Sequence, residues 1–230
     1  MKSSLCGFIT VLSITLVMPV QAQKTYVGVL GGMNFADLKI VFEDQTLTDH
    51  DVQSRTLFGV GGFFGISLNE YLSVQLEPMY VSKGGVYTKP SIPDMTISSS
   101  QLEVLLLLKG EIGEQVRPYI LAGPFVSFVL EASLKASMGG REFEGNLLEI
   151  LKRTEYGALF GAGISIPAWK GYAFIEGRYA LGLTNMNKGG SLDLTDGSVV
   201  VAGPTTVPGD EIKTMGVQIM VGYQLSLGGW

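Results

Sequence analysis

Residues 214–225 read TMGVQIMVGYQL. Every second residue from Met215 to Leu225 is apolar, and the positions between them are mostly threonine, glycine or glutamine. Because successive side chains of a β-strand point to opposite faces, this period of two predicts a strand with one apolar and one polar face. A tilted strand crosses the hydrocarbon of a membrane in about 9 to 11 residues, so this stretch is long enough to span it.

Seven stretches upstream show the same alternation, many with glycines on the less apolar face. The connections between stretches are alternately short and long, as in a chain of antiparallel strands. Together they predict eight strands over residues 25–36, 56–68, 71–84, 100–112, 117–132, 154–166, 172–184 and 214–225, with long connections at 37–55, 85–99, 133–153 and 185–213.

The first 22 residues have the pattern of a secretory signal peptide. Lys2 gives a positive start, residues 5–17 are apolar, and Val20-Gln21-Ala22 is a small-residue cleavage pattern. We therefore expect a cleaved signal over 1–22 and a single β-barrel domain over 23–230. The one cysteine, Cys6, lies inside the signal, so the mature chain has neither a disulfide framework nor a thiol nucleophile.

The acidic composition of the chain limits the classes of partner that we expect. The net charge is −5 and the pI is about 4.9, which excludes nucleic acid as the expected partner, because that binding depends on Lys and Arg neutralising phosphates. Outer-membrane lipid is the expected surroundings, and no pattern predicts a cofactor or a metal site. Clustered acids in the first and last long connections, such as Asp49 and Asp193, do not have calcium-loop spacing.

The two faces of the strands decide between a soluble and a membrane barrel. A soluble barrel carries apolar residues inside, whereas a membrane barrel presents them to lipid. Charges on the less apolar face are sparse and nearly balanced in sign, which favours the membrane barrel. Aromatic residues near one end of the strands resemble an interfacial girdle: Phe35, Tyr80, Phe128, Tyr156 and Tyr179.

The fold class predicted is therefore all-β: an eight-stranded antiparallel up-and-down transmembrane β-barrel with short periplasmic turns and long extracellular loops. Both termini would be periplasmic, and the localisation would be the outer membrane of the cell. Pro78 and Pro124 fall inside proposed strands, where we expect β-bulges, because proline cannot donate to the ladder.

The interior charges form the candidate site. Intramembrane ionisable residues suggest an ion or proton path, but an eight-stranded lumen is only wide enough for side chains, which favours a structural network of salt bridges. The candidate residues of this network are Glu77, Lys83, Glu103, Lys109, Glu176 and Arg178, within a wider interior set that adds Glu111, Arg117, Glu131, Arg153 and Glu155.

Two features of the long connections bear on function. His50, the only histidine, is flanked by Asp49 and Asp51 and could act as a general base with a nearby serine. Its position in the middle of an acidic loop favours a solvated side chain, so no catalytic residue is predicted. Asn146 followed by Glu149 is typical of a helix N-cap and predicts a short helix. Such a helix could lie on the rim or bind a partner, but packing over the mouth of the lumen is the favoured role.

Six segments resemble the outer-membrane β-barrel domain of the PorT family of Bacteroidetes. They are YVGVLGGMNF (26–35), LEPMYVSKG (76–84), LEVLLLLK (102–109), PYILAGP (118–124), FGAGISI (160–166) and EGRYALGLTN (176–185). The resemblance implies an eight-stranded outer-membrane barrel, and one member of the family serves an apparatus that secretes proteins across the outer membrane. Leu105 stands where the family usually has proline, and the chain continues to Gly228-Gly229-Trp230 beyond the last strand.

These observations favour a non-enzymatic outer-membrane protein with a structural or interaction role in the cell envelope. The resemblance adds a link to protein secretion and to other envelope or secretion proteins as partners. Two alternatives remain open from the sequence: an enzyme that modifies lipid A at the outer rim, and a narrow channel.

Overall fold

The computed structural model describes residues 24–42, 45–46, 52–54, 56–89, 92–138, 140–206 and 211–227. The predicted signal peptide, His50 and Gly228-Gly229-Trp230 lie outside these residues. Almost all of the described chain is β-strand, in thirteen segments. They are β1 (Thr25–Phe42), β2 (Gln45–Thr46), β3 (Val52–Ser54), β4 (Thr56–Ser67), β5 (Leu72–Lys89), β6 (Ile92–Glu111), β7 (Arg117–Met138), β8 (Arg141–Asn146), β9 (Thr154–Ala168), β10 (Gly171–Gly182), β11 (Gly190–Thr195), β12 (Val200–Thr206) and β13 (Glu211–Leu227).

Eight of these strands close into a barrel. The ring runs β1, β4, β5, β6, β7, β9, β10, β13 and back to β1, and every neighbouring pair is antiparallel. Closure leaves no open edge within the ring, so backbone groups pair from strand to strand as a lipid environment demands. The predicted eight-stranded antiparallel up-and-down barrel is confirmed.

Three short turns lie together at one end of the barrel, at residues 68–71, 112–116 and 169–170. In the first, the Asn69 side chain accepts hydrogen bonds from the backbone N–H groups of Tyr71 and Leu72, both at 2.8 Å. Gly113 and Trp169 take positive φ values of +100° and +52° to reverse the chain. At this same end of the barrel, Thr25 at the start of β1 pairs with Leu227 at the end of β13.

The outer and inner faces carry the predicted opposite characters. Along β13, Val217 and Val221 are 47% and 54% exposed, whereas Gln218 and Met220 are 1% and 0% exposed. Leu102, Leu106, Ile120, Phe160 and Ile175 are likewise exposed on the outer wall. The apolar surface therefore faces outward, which is the arrangement of a barrel solvated by lipid.

The bulges expected at Pro78 and Pro124 are absent, and this expectation was wrong. The register on either side of Pro78 is unchanged, from Gly61 paired with Met79 to Phe64 paired with Leu76. The ladder also keeps one register past Pro124, with a gap in pairing instead of an inserted residue. A missing proline N–H thus removes hydrogen bonds locally without shifting the strands.

The strands extend farther from the short-turn end than expected. Residues 85–89 and 92–99, expected to lie in a loop, instead extend β5 and β6, with Lys89 paired to Ile92. The only register shift between β6 and β7 leaves Leu130 as an extra residue, because Gln101 pairs with Val129 and Ser100 with Glu131. This bulge reverses which residues of β7 face inward.

Two interior assignments were wrong. Glu131 is exposed because of the reversal at Leu130, and Arg153, which directly precedes β9, is exposed as well. Beyond the bulge the even-numbered residues Ala132, Leu134 and Ala136 are buried.

Beyond the bulge, residues 133–138 of β7 pair with β8 and no longer with β9. The strand β8 pairs in turn with β11, and β11 pairs with β12. We call these four segments the outer sheet. One face packs a second apolar core, and its other face is polar. The buried members of this core are Ile97, Val129, Ala132, Leu134, Ala136, Phe143, Leu147, Ile150, Met186, Leu192, Leu194 and Ile212.

The predicted short helix is a single 3₁₀ turn over Leu147–Glu149. Asn146 caps it, since its Oδ1 accepts the backbone N–H of Leu148 at 3.0 Å. Leu147 is buried in the second core, and the turn packs against β7 and β11. In the part of the chain that the structure describes, no helix is long and apolar enough to cross a membrane.

Candidate functional site in the lumen

A charged triad lies at the centre of the lumen. Arg178 of β10 donates from Nε to Glu176 Oε1 at 2.7 Å and from Nη2 to Glu77 Oε2 at 3.0 Å. All three side chains are almost completely buried. The guanidinium thus neutralises two carboxylates in a place from which water is excluded.

The remaining oxygens of this triad also have partners. Glu77 Oε1 accepts from Arg178 Nη1, and Tyr119 Oη donates to Glu176 Oε2 at 2.8 Å. Gln75 Nε2 adds a second hydrogen bond to Glu77 Oε2 at 2.7 Å. A buried carboxylate is tolerated only when its hydrogen-bonding capacity is met. The central triad therefore meets the requirement for a stable buried network.

The central triad crosses the barrel along a diameter. Glu77 belongs to β5 and Arg178 to β10, and these two strands are four positions apart in the ring of eight. The ion pair therefore joins opposite walls, in addition to the backbone ladder that joins neighbours.

A second triad lies nearer the end with the long connections. Lys83 Nζ is 2.7 Å from Glu103 Oε1 and 3.6 Å from Glu155 Oε2, and the hydroxyl of Thr214 bonds to Glu155 Oε1. The ring of Phe125 lies 5.8 Å below the ammonium. Unlike the central triad, this one has a buried carboxylate oxygen, Glu103 Oε2, with no hydrogen-bond partner among the described residues.

A third cluster lies toward the short turns. Lys109 Nζ is 2.8 Å from Glu111 Oε2 and 4.2 Å from the centre of the Tyr119 ring. Arg117 reaches Glu111 Oε1 at 3.3 Å and stacks 4.3 Å from the ring of Tyr172. The Tyr119 hydroxyl bonds Glu176, so this cluster is continuous with the central triad.

Aromatic rings fill the lumen by lying over glycines on the neighbouring strand. Tyr119 pairs directly with Gly163, where an added Cβ would lie 2.6 Å from the phenol oxygen. Only a residue without a side chain leaves room for the ring at that position. The other pairs of this kind are Tyr26 with Gly65, Phe63 with Gly28, Phe125 with Gly157, and Phe174 with Gly222.

The structure places all six candidate residues on the inner face and divides them among the three clusters. Glu77, Glu176 and Arg178 meet in the central triad, Lys83 and Glu103 in the second, and Lys109 in the third. Sequence reasoning did not identify the neutral partners Gln75, Tyr119 and Thr214. Alternation indicates which face a side chain occupies, but not which residue lies opposite it across the lumen.

A basin of about 1260 Å³ opens at the end with the long connections. Its wall includes the polar face of the outer sheet, residues Ser98, Ser99 and Ser100 of β6, and Lys83 of the second triad. In the hairpin between β11 and β12, the backbone N–H groups of Val199 and Ser198 donate to Asp196 and hold the pKa of that carboxyl below its usual range. Among the described residues, no group of three or more His, Cys, Asp or Glu side chains could hold a metal ion.

A closed antiparallel barrel with an apolar outer wall and a lumen packed with ion pairs defines the class of transmembrane β-barrels. Residues 21–188, more than two thirds of the chain, match the family model described as "Outer membrane protein beta-barrel domain". The chain belongs to this family and is an outer-membrane β-barrel protein.

Several solved structures resemble the chain at low sequence identity. They include OprG from Pseudomonas aeruginosa (11% identity, TM-score 0.47, 90% of this chain and 98% of that chain covered). The attachment invasion locus protein Ail of Yersinia pestis (11%, 0.40, 89% and 100%) and the outer membrane protease OmpT from Escherichia coli (10%, 0.41, 91% and 100%) are also similar. No curated protein matches the chain.

Proposed function

We propose that this barrel is a non-enzymatic, non-conducting scaffold of the outer membrane. It would interact with other molecules through the outer sheet and the basin at the end with the long connections. The observation that carries the proposal is the packed lumen. The Arg178–Glu77 ion pair crosses it, and Met79, Leu105 and Met220 are fully buried around that pair. An interior occupied in this way supports a structural or interaction role in the envelope.

We also propose that the short turns and both termini face the periplasm and that the basin faces the cell exterior. Short periplasmic turns and longer outer connections are the general arrangement of outer-membrane barrels. The folded outer sheet would then be the part of the protein that partners outside the membrane can reach.

The six segments that resemble the PorT family support a more specific form of the proposal. In this form the protein takes part in an apparatus that secretes proteins across the outer membrane. Crosslinking in native envelopes followed by purification of the barrel tests it, and we expect components of a secretion apparatus among the products. Their absence, with other envelope partners present, would leave only the general interaction role.

Planar bilayer recordings test the non-conducting lumen. We expect no steady conductance from the purified wild-type barrel, because ion pairs and apolar side chains occupy the interior. A steady conductance that shifts in a Glu77→Gln variant would contradict the proposal and favour a narrow channel.

Mass spectrometry of lipid A tests the non-enzymatic part of the proposal. We expect the same lipid A in cells that express wild-type protein and in cells that express His50→Ala. A modification of lipid A that the wild type produces and the variant does not would instead establish a rim-active enzyme.

A further inference from the structure

The wall of the basin has a strong excess of acidic side chains. Six acids and two bases contribute to it. The acids are Glu131, Glu142, Glu144, Glu149, Asp193 and Asp196, and the bases are Lys83 and Lys135.

Both bases are already engaged. Lys83 is held by the two glutamates of the second triad, and Lys135 Nζ lies 3.6 Å from Glu144 Oε2. Asp196 also has a cation, since Arg141 Nη1 lies 3.3 Å from its Oδ2. Four of the acids, Glu131, Glu142, Glu149 and Asp193, have no ion-pair partner among the described residues. The field inside the basin is therefore negative, and the cations of the described residues do not cancel it.

The strand β12 borders this basin and has one free side. In the described part of the chain it pairs with β11 alone, so the N–H and C=O groups along its other side are available for a further strand. A cross-strand row of Lys135, Glu144, Thr195 and Val200 runs over the polar face of the outer sheet to this edge. Val200 lines the basin and is 66% exposed.

We propose that the basin and the free edge of β12 bind an extended, lysine- or arginine-rich segment of another protein, which adds to the outer sheet as a further strand. Such a segment would direct alternate basic side chains over the polar face of the outer sheet toward Asp193 of β11, within the negative field to which Glu142 of β8 contributes, while its backbone pairs with β12. The partly exposed apolar members of the wall, Leu57 and Leu148, would cover the aliphatic stems of those side chains. The inference deepens the proposed interaction role and rests on it.

The charge and the size of the basin favour a basic peptide segment over a second copy of the chain and over a small polyamine. A second copy of the chain, with a net charge of −5 and the same acidic wall, would meet like charge, which disfavours self-association through this surface. A basin of about 1260 Å³ beside a free strand edge fits a peptide segment, whereas a small polyamine would leave the edge unpaired.

Binding to the purified barrel in nanodiscs of zwitterionic lipid tests the proposal. The probe is a fluorescent ten-residue peptide of alternating lysine and threonine. We expect saturable binding that weakens with salt and falls by about tenfold or more in the Glu142→Gln/Asp193→Asn variant. The control variant Glu70→Gln/Glu114→Gln removes the same charge at the short turns and should bind like wild type.

Two further probes test the mode of binding. The same peptide with every backbone nitrogen methylated keeps its side-chain charge but has no N–H to donate along either edge, and we expect it to bind at least about tenfold more weakly. Spermine should compete only weakly. Equal binding of the methylated peptide, equal binding of a glutamate–threonine peptide, or an unchanged affinity of Glu142→Gln/Asp193→Asn would each overturn the proposal. Envelope crosslinks that persist without peptide binding would overturn this inference while leaving the proposed function standing.

Discussion

At the scale of single residues, the lumen depends on matching each buried charge with a partner. Arg178 satisfies Glu77 and Glu176, and Gln75 and Tyr119 complete the two carboxylates. The side chains alternate with glycines that leave space for aromatic rings. Two substitutions separate these contributions, one electrostatic and one steric.

Replacing Arg178 with methionine should strongly destabilise the barrel. The change leaves Glu77 and Glu176 buried without their cation, a situation that costs about 3–5 kcal/mol. Urea unfolding in detergent micelles measures the loss. The triple variant Arg178→Met/Glu77→Gln/Glu176→Gln removes all three charges and should regain much of the stability; a triple variant no better than the single one would show that packing, not charge, dominates.

Replacing Gly163 with alanine should destabilise the barrel by about 1–3 kcal/mol through overpacking. The new Cβ would lie 2.6 Å from the Tyr119 oxygen and 2.7 Å from Glu176 Cβ. Gly177→Ala is the matched control, because no heavy atom lies within 4 Å of its added Cβ. The same unfolding measurement applies, and equal midpoints for the two variants would contradict the steric role of Gly163.

At the scale of elements, the bulge at Leu130 converts one strand into two with opposite facing. Below it, β7 presents Tyr119, Leu121 and Phe125 to the lumen; above it, Leu134 packs in the second core. One inserted residue therefore lets a membrane wall continue into a sheet with an apolar inner face and a polar outer face.

Cysteine accessibility tests the facing above the bulge. In the protein without its predicted signal peptide there is no other cysteine, so Glu131→Cys should react rapidly with a water-soluble maleimide in detergent. Leu134→Cys, at a position that is 3% exposed, should react slowly until the protein is unfolded. The reverse pattern would mean that the alternation continues through Leu130 without a bulge.

The sequence was most informative where the two faces of a strand meet different surroundings. A register slip of one residue would move every apolar side chain of a strand from lipid to lumen, so alternation is strongly constrained in all eight wall strands. The bulge could not be predicted from the sequence, because Leu130 and Glu131 continue an ordinary apolar–polar alternation. The extensions of β5 and β6 over 85–89 and 92–99 were not predicted, because these strand segments lie where no lipid enforces a pattern.

At the scale of the whole molecule, the lumen network combines residues that are far apart along the chain. Glu77 and Arg178 are separated by 101 positions, and their meeting depends on the number of strands and their stagger. The pattern of one strand contains neither quantity. Inner-facing charges were therefore predictable from alternation, whereas their partners required the closed barrel.

The orientation of the barrel is testable with one label at each end. With the proposed orientation, Ser198→Cys in the hairpin between β11 and β12 should react with a membrane-impermeant maleimide on intact cells. Gln115→Cys in the turn after β6 should react only after the outer membrane is permeabilised; both positions are exposed in the structure. Labelling of Gln115→Cys alone on intact cells would reverse the orientation.

The seam between β1 and β13 has a consequence for biogenesis. It joins Thr25 to Leu227 and continues to Val41 paired with Glu211, so the first strand acquires one of its two neighbours only when the last strand has emerged. Until then both strands offer unsatisfied backbone to any other chain nearby, a hazard that grows with the delay. Nascent polypeptide must therefore be shielded from self-association during its passage to the membrane, and truncation before β13 should yield aggregates instead of a smaller barrel.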